Sequence, residues 1–235
     1  MTRSNIRIPK IGITQGSRDY PERNEIRDEL DQNWAMLAEQ ISVCLVPIPN
    51  RLNDPIRWFD TSGIEGIILS GGGDFFEAPN NLEYFRGMMA EDLSAAELRC
   101  RTEVYALQFA AKRNLKILGV CRGMQLLNSL HGGQIQEIDN HISVTHEVHL
   151  TEIGQTLSTI PPKFVNSFHG YGIPQGNLGE KLIPLALSGV CVEMFSDELL
   201  QILGLMWHPE RSEITDANTR ILKDFFHSKL LFIDR

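Results

Sequence analysis

The stretch Ile117-Leu118-Gly119-Val120-Cys121-Arg122-Gly123-Met124-Gln125-Leu126-Leu127 restricts this chain to few folds. Ile117, Leu118 and Val120 read as a short buried strand with Lys116 at its solvent edge, and Met124, Leu127 and Asn128 recur at i, i+3 and i+4, as on one face of a helix. A strand that turns into a helix within one residue crowds the Cβ of that residue against its neighbours at ±2, and glycine at both positions leaves room. Gly119 and Gly123 occupy those positions around Cys121, in a G-x-nucleophile-x-G pattern. The thiol is then expected at the carboxyl end of a strand and the amino end of a helix. There, helix N–H groups and the helix dipole favour a thiolate and a developing oxyanion. A buried structural cysteine between two turn glycines would leave the same trace, so the rest of the chain must decide.

Upstream of the elbow, strand and helix patterns alternate. Residues 10–14 and 43–48 read as short parallel strands, and residues 64–70 as a third that ends in Gly71-Gly72-Gly73-Asp74. Residues 15–24 read as a polar loop carrying Arg18 and Arg23. Ile26, Leu30, Trp34, Leu37 and Ile41 follow at helical spacing. A weaker helix is expected at 55–60 and the longest at about 92–113. This alternation predicts a parallel sheet with helices on both faces. Beyond His131-Gly132-Gly133 the texture changes to short alternating segments at 134–138, 144–151, 164–167, 190–195 and 201–207, which predict a mixed or antiparallel extension, and a last helix is expected at about 215–231. No repeat or linker divides the chain, so residues 1–235 are expected to form one domain.

Composition narrows the function classes. The net charge is −8 and no run of Lys and Arg exceeds two residues, which argues against a nucleic-acid partner. No apolar run approaches a membrane span and no leader-like apolar segment opens the chain, so a cytoplasmic protein without a membrane partner is expected. The four cysteines show no C-x-x-C pair, which points to neither a zinc site nor a disulfide frame. Cys44, Cys100 and Cys191 lie in apolar runs and read as core residues.

A cysteine nucleophile needs a base, and the base an orienting group. Among seven histidines, His208 ends the apolar segment Leu205-Met206-Trp207. Residues i and i+2 of an extended chain point to one side, so Glu210 can hold the imidazole of His208 across the stiff Pro209. The N–H of Arg122 and a backbone N–H from Gly71-Gly72-Gly73, here assigned to Gly72, can form an oxyanion hole, each donor being worth about 3 kcal/mol in a transition state. A phosphate loop is not expected, because the G-x-x-x-x-G-K-[ST] spacing is absent. His141, His146 and His149 fit no helical i, i+4 pair, and in a strand His146 and His149 face opposite sides. No metal and no cofactor are therefore expected, and His169 reads as a pocket-lining residue.

Gly119-Val120-Cys121-Arg122-Gly123-Met124-Gln125, then Asn166-Ser167-Phe168-His169, then His208-Pro209-Glu210 resemble the class I glutamine amidotransferase-like superfamily, and within it the γ-glutamyl hydrolase branch. Ser70-Gly71-Gly72-Gly73-Asp74, Asn140-His141-Ile142 with His146-Glu147-Val148, and Gly204-Leu205-Met206-Trp207-His208 are similar to the γ-glutamyl-CDP-amidate hydrolases of capsule phosphoramidate synthesis. The resemblance implies a flavodoxin-like three-layer sandwich with a mostly parallel sheet and a small antiparallel extension. It implies a Cys121, His208, Glu210 triad that cleaves a γ-glutamyl amide through a glutamyl thioester and releases glutamate. It also implies that Gly71, Gly73, Gln125, Ser167, Phe168 and His169 hold the substrate. Gly73 departs from the Asn, Ser or Val common at its position, which leaves open which glycine donates.

Three other activities remain compatible: a glutaminase subunit feeding ammonia to a partner synthase, a γ-glutamyl-GABA-type hydrolase, and an inactive binding module. The partner expected is a small-molecule γ-glutamyl compound, with the chain a monomer or a homodimer. For a nucleotide substrate, Arg18 and Arg23 could grip a diphosphate, although solvated surface arginines would look the same.

Overall fold

The computed structural model describes residues 7–72, 82–85, 87–211 and 216–233. β1 (Lys10–Thr14) leads directly into a hairpin of β2 (Gly16–Tyr20) and β3 (Glu25–Glu29), and α1 (Asn33–Ile41) follows. Then come β4 (Cys44–Ile48), α2 (Pro55–Ser62), β5 (Gly66–Leu69), the single turn α3 (Leu82–Phe85), α4 (Ala95–Arg113), β6 (Lys116–Val120) and α5 (Arg122–Leu130). The second half adds β7 (Gln136–Glu137), β8 (Ile142–Glu147), β9 (His149–Leu150), β10 (Phe164–Phe168), β11 (Tyr171–Gly172), β12 (Ile183–Ser188), β13 (Cys191–Ser196), β14 (Ile202–Leu205) and α6 (Asp216–Phe226).

The main sheet runs β4-β1-β5-β6-β14-β13-β12-β9. From β4 to β14 every neighbouring pair is parallel, and from β14 to β9 every pair is antiparallel. β6 lies between β5 and β14, so the turns that end all three strands open on one edge of the sheet. Parallel strands covered on both faces are apolar throughout, and β5 (Gly-Ile-Ile-Leu) is buried at every residue. One core joins Trp34, Leu37 and Ile41 of α1 to Ile221, Leu222 and Phe225 of α6; the other joins Phe59 of α2, Phe109 of α4 and Met124 and Leu127 of α5. Each lies against its own face of the sheet, which gives the three layers of an α/β sandwich with a mostly parallel sheet.

Three expectations from sequence require correction. Residues 15–24 are not a loop but the first strand and turn of the β2–β3 hairpin, closed by Asn24 in the left-handed region at φ 50. Ile26 and Leu30 therefore precede the helix, and Ile26 packs against the cluster of Phe85, Leu93 and Leu98. Their spacing imitates a helix because α1, starting at Asn33, happens to continue the same interval. Cys44 is exposed rather than core, since it opens β4 at the edge of the sheet, whereas Cys100 and Cys191 are buried. β12 escaped detection because Pro184 interrupts its apolar run. Its pairing with β13 shifts register just there, the irregularity that lets a sheet accept proline.

Candidate active site

The backbone at Cys121 adopts φ 50 and ψ −105, which a non-glycine residue holds only where its surroundings enforce it. Cys121 N–H donates to the Leu205 carbonyl at 2.7 Å, and Gln125 N–H donates back to the Cys121 carbonyl at 3.0 Å, so strand and helix both anchor the turn. The glycines at ±2 are required by contact. A Cβ on Gly119 would lie 2.6 Å from Leu127 Cδ1, and one on Gly123 would lie 2.6 Å from Leu69 Cβ.

His208 and Cys121 are hydrogen-bonded side chains, and His208 Nδ1–H donates to Glu210 Oε1 at 2.8 Å. Both His208 and Glu210 are buried. Asn166, on β10, clamps the backbone of His208 from the other side. Its amide donates to the His208 carbonyl at 2.8 Å, and its side-chain oxygen accepts the His208 N–H at 2.8 Å. Burial works against a charged imidazole at His208, but the hydrogen bonds to Cys121 and Glu210 and their charges outweigh it and raise the group to about 9. The imidazole thus carries its proton at neutral pH and loses it as the pH passes about 9. We therefore expect kcat/KM to fall on an alkaline limb near that pH, because the leaving amine needs the proton. Glu210→Gln should move the limb to lower pH and slow turnover less than His208→Ala does. A limb unmoved by the glutamine variant would contradict the role of Glu210.

Gly71 lies between the two. A Cβ there would fall 2.5 Å from His208 Cε1 and 3.4 Å from Cys121 Cβ. The turn is held from behind by Arg99 of α4, whose guanidinium donates to the carbonyls of Ser70 at 2.8 Å, Gly71 at 3.0 Å and Gly72 at 2.5 Å. In a trans peptide the N–H points opposite to the C=O, so these bonds turn the N–H groups of Gly71 and Gly72 away from Arg99. Arg99 is fixed by Glu103 at 2.9 Å, and Glu103 also pairs with the Arg122 side chain. Burial favours a neutral Glu103, yet the two arginines hold its carboxyl below the ordinary range. Arg99 and Glu103 do not stand out in the sequence; the only signal is an i, i+4 Arg/Glu pair within an otherwise apolar helix face.

Of the other expected substrate residues, Gln125 lies on α5 and Ser167 and Phe168 on β10. Gln125 is buried and donates to the Tyr171 carbonyl at 3.0 Å. The Ser167 hydroxyl donates to the His141 carbonyl at 2.5 Å, within the β8–β10 ribbon. Phe168 is exposed, with its ring edge-on to His208 at 5.9 Å. Gly73 lies outside the described residues. His169 is buried, its ring against that of His141, 5.0 Å between centroids.

His141, His146, His169 and Glu193 form a cluster in which one ligand-capable atom of each lies within 4.8 Å of the others. The cluster differs from the set His141, His146 and His149 weighed from spacing. His149, on β9, is exposed and takes no part, and His169 and Glu193 join from other strands, which the spacing of His141 and His146 could not reveal. Burial lowers all three histidines, His169 to about 4, and raises Glu193 to about 8.

A cavity of about 670 Å³ opens beside Gly71, Gly72, Arg122 and Glu210, roofed by the β2–β3 hairpin. Ser17 and Asp19 face it, while Arg18 and Tyr20 alternate to the other side of β2. Arg18 and Arg23 do not line this cavity and stack on the Tyr20 ring, at 5.3 and 5.9 Å. Among the described residues no helix is long and apolar enough to cross a membrane.

The sequence profile of peptidase C26 matches residues 9–210. The chain is similar to the γ-glutamyl-CDP-amidate hydrolase of Campylobacter jejuni, 30% identical over 220 residues that span 92% of this chain and 96% of that protein. It is also similar to a subunit of the glutamine-hydrolysing GMP synthase of Methanococcus vannielii, 26% identical across 69% of this chain and 72% of that one. Its fold matches a Thermoplasma acidophilum structure provisionally assigned as a GMP synthase subunit, with a TM-score of 0.63, 18% identity and 94% of each chain covered.

Proposed function

Because this chain belongs to the peptidase C26 family, which is class I glutamine amidotransferase-like, we propose that it hydrolyses a γ-glutamyl amide through Cys121. The observation that carries this reading is the strained elbow at Cys121 with its sulfur hydrogen-bonded to a histidine that Glu210 orients. The sulfur attacks the γ-carbonyl, and the resulting oxyanion is met by the N–H of Arg122 and that of Gly72. His208 gives its proton to the departing amine, leaving a glutamyl thioester. The now neutral His208 takes a proton from water as the water oxygen attacks the thioester, and glutamate leaves while Cys121 regains its thiolate.

For the leaving group, we infer a γ-glutamyl-CDP-amidate, as in capsule phosphoramidate synthesis in the cytoplasm. The support is the near end-to-end similarity to a hydrolase of that compound, together with a cavity roomier than glutamine needs. Asp19, Glu29 and Asp31 also line that cavity, so a diphosphate would sit toward Arg211 instead. A second reading, a glutaminase subunit serving a synthase, draws on the similarity to the GMP synthase of Methanococcus vannielii. Assaying the isolated chain on γ-glutamyl-CDP-amidate, γ-glutamyl-GABA and glutamine separates them. The first compound is expected to give the highest kcat/KM. Turnover of glutamine alone, rising when a synthase is added, would favour the second reading instead.

A further inference from the structure

The cluster of three histidines and one glutamate has no part in the chemistry above, yet its geometry is specific. His141 precedes β8, His146 lies on β8, His169 follows β10 and Glu193 lies on β13, so two separate sheets supply it. His141 Nδ1 lies 3.6 Å and His169 Nε2 3.9 Å from Glu193 Oε1, and His146 Nε2 lies 3.7 Å from Glu193 Oε2. A hydrogen bond would bring such atoms to about 2.7–3.2 Å. Two ligands about 2.0–2.1 Å from a tetrahedral zinc lie about 3.4 Å apart, nearer to what is seen. His141 Nδ1, His146 Nε2, His169 Nε2 and both carboxylate oxygens of Glu193 are buried without a hydrogen-bond partner. Buried polar atoms are normally paired, and five orphans facing one point indicate a missing shared partner.

The outer nitrogens complete the pattern. His169 Nδ1–H donates to the Tyr171 carbonyl at 3.0 Å, and His146 Nδ1–H to the Glu147 carbonyl at 3.4 Å. Each bond fixes the tautomer that turns a lone pair on Nε2 toward Glu193, as backbone carbonyls do behind metal-bound histidines.

We propose that His141, His146, His169 and Glu193 bind one divalent transition-metal ion, zinc being the best match to three imidazoles and a carboxylate at tetrahedral spacing. Four protein ligands fill a tetrahedral shell, which makes the site structural. The ion cross-links the β8–β10 ribbon to β13 of the main sheet. β10 carries Asn166, the clamp on the His208 backbone, so the ion acts on the active site by positioning.

The test is the metal content of the purified full chain by mass spectrometry, followed by titration of chelator-stripped chain with zinc and cobalt. A single zinc per chain is expected, with cobalt giving the strong visible absorption of a tetrahedral site. Glu193→Gln and His146→Ala should each weaken zinc binding by more than roughly 100-fold, while Cys121→Ser should keep the ion. Stripped parent chain, folded by circular dichroism, that takes up neither metal would overturn the proposal without reliance on any variant. Loss of zinc in Cys121→Ser would also overturn it, by assigning the ion to the thiol. Because the readout is metal content, failure here leaves the hydrolase reading untouched.

Discussion

Cys121→Ser is expected to lower kcat for a γ-glutamyl amide by roughly 10³-fold or more while leaving KM and the fold near those of the parent. A thiol ionises near pH ~8.5, and a serine hydroxyl lies several units higher, outside the reach of a histidine arranged for sulfur. The substitution barely changes volume, and the φ of 50 at this position is imposed by Gly119, Gly123 and the hydrogen bonds to Leu205 and Gln125, all of which remain. Steady-state kinetics beside thermal unfolding checks both halves. A serine variant turning over at close to the parental rate would mean that Cys121 is not the nucleophile.

Gly71→Ala is expected to cost roughly 10²-fold in kcat, although it adds one methyl group and removes no functional atom. That methyl would start 2.5 Å from His208 Cε1 and 3.2 Å from Nδ1, closer than carbon atoms pack. Neither side can yield cheaply. Arg99 holds the turn by three carbonyls, and Glu210 and Asn166 hold the histidine by its ring and its backbone. The imidazole must therefore move relative to the sulfur, and a small misplacement of a proton-transfer group is costly. Gly176→Ala is the control, because a Cβ there meets nothing within 4 Å. Comparing kcat for the two alanine variants decides the matter: equal, near-parental values would show that Gly71 does not set the spacing of the pair.

The elbow was legible because local sterics fix it: strand, cysteine, helix and the glycines at ±2 are contiguous in sequence. His208 and Glu210 were legible because an extended chain places i and i+2 on one side. The alternating strands and helices of the first half gave the parallel sheet for the same reason, since each element declares itself by its own period. What could not be read was set by contacts distant in sequence. The β2–β3 hairpin hid behind Ile26 and Leu30, whose intervals match a helix only by continuation into α1. Arg99 and Glu103 take meaning only when α4 packs behind the turn at Gly71. Glu193 stands far along the chain from His141 and His146, and only the docking of the β8–β10 ribbon beside β13 brings them together. The side on which Arg18 lies was equally hidden, because the face of β2 that a residue takes depends on register, and the register puts Asp19 toward the cavity.

The proposed hydrolysis stands or falls on one step, in which a γ-glutamyl group is handed to the sulfur of Cys121. The most direct measurement is peptide mapping after incubation with a diazoketone analogue of glutamine, which alkylates only a nucleophile placed at the γ-carbonyl position. One label per chain is expected, on Cys121, with activity lost in proportion and glutamate protecting. Exposed Cys44 serves as the internal control for indiscriminate alkylation. A label on any other residue, or full activity in chain labelled at Cys121, would contradict it.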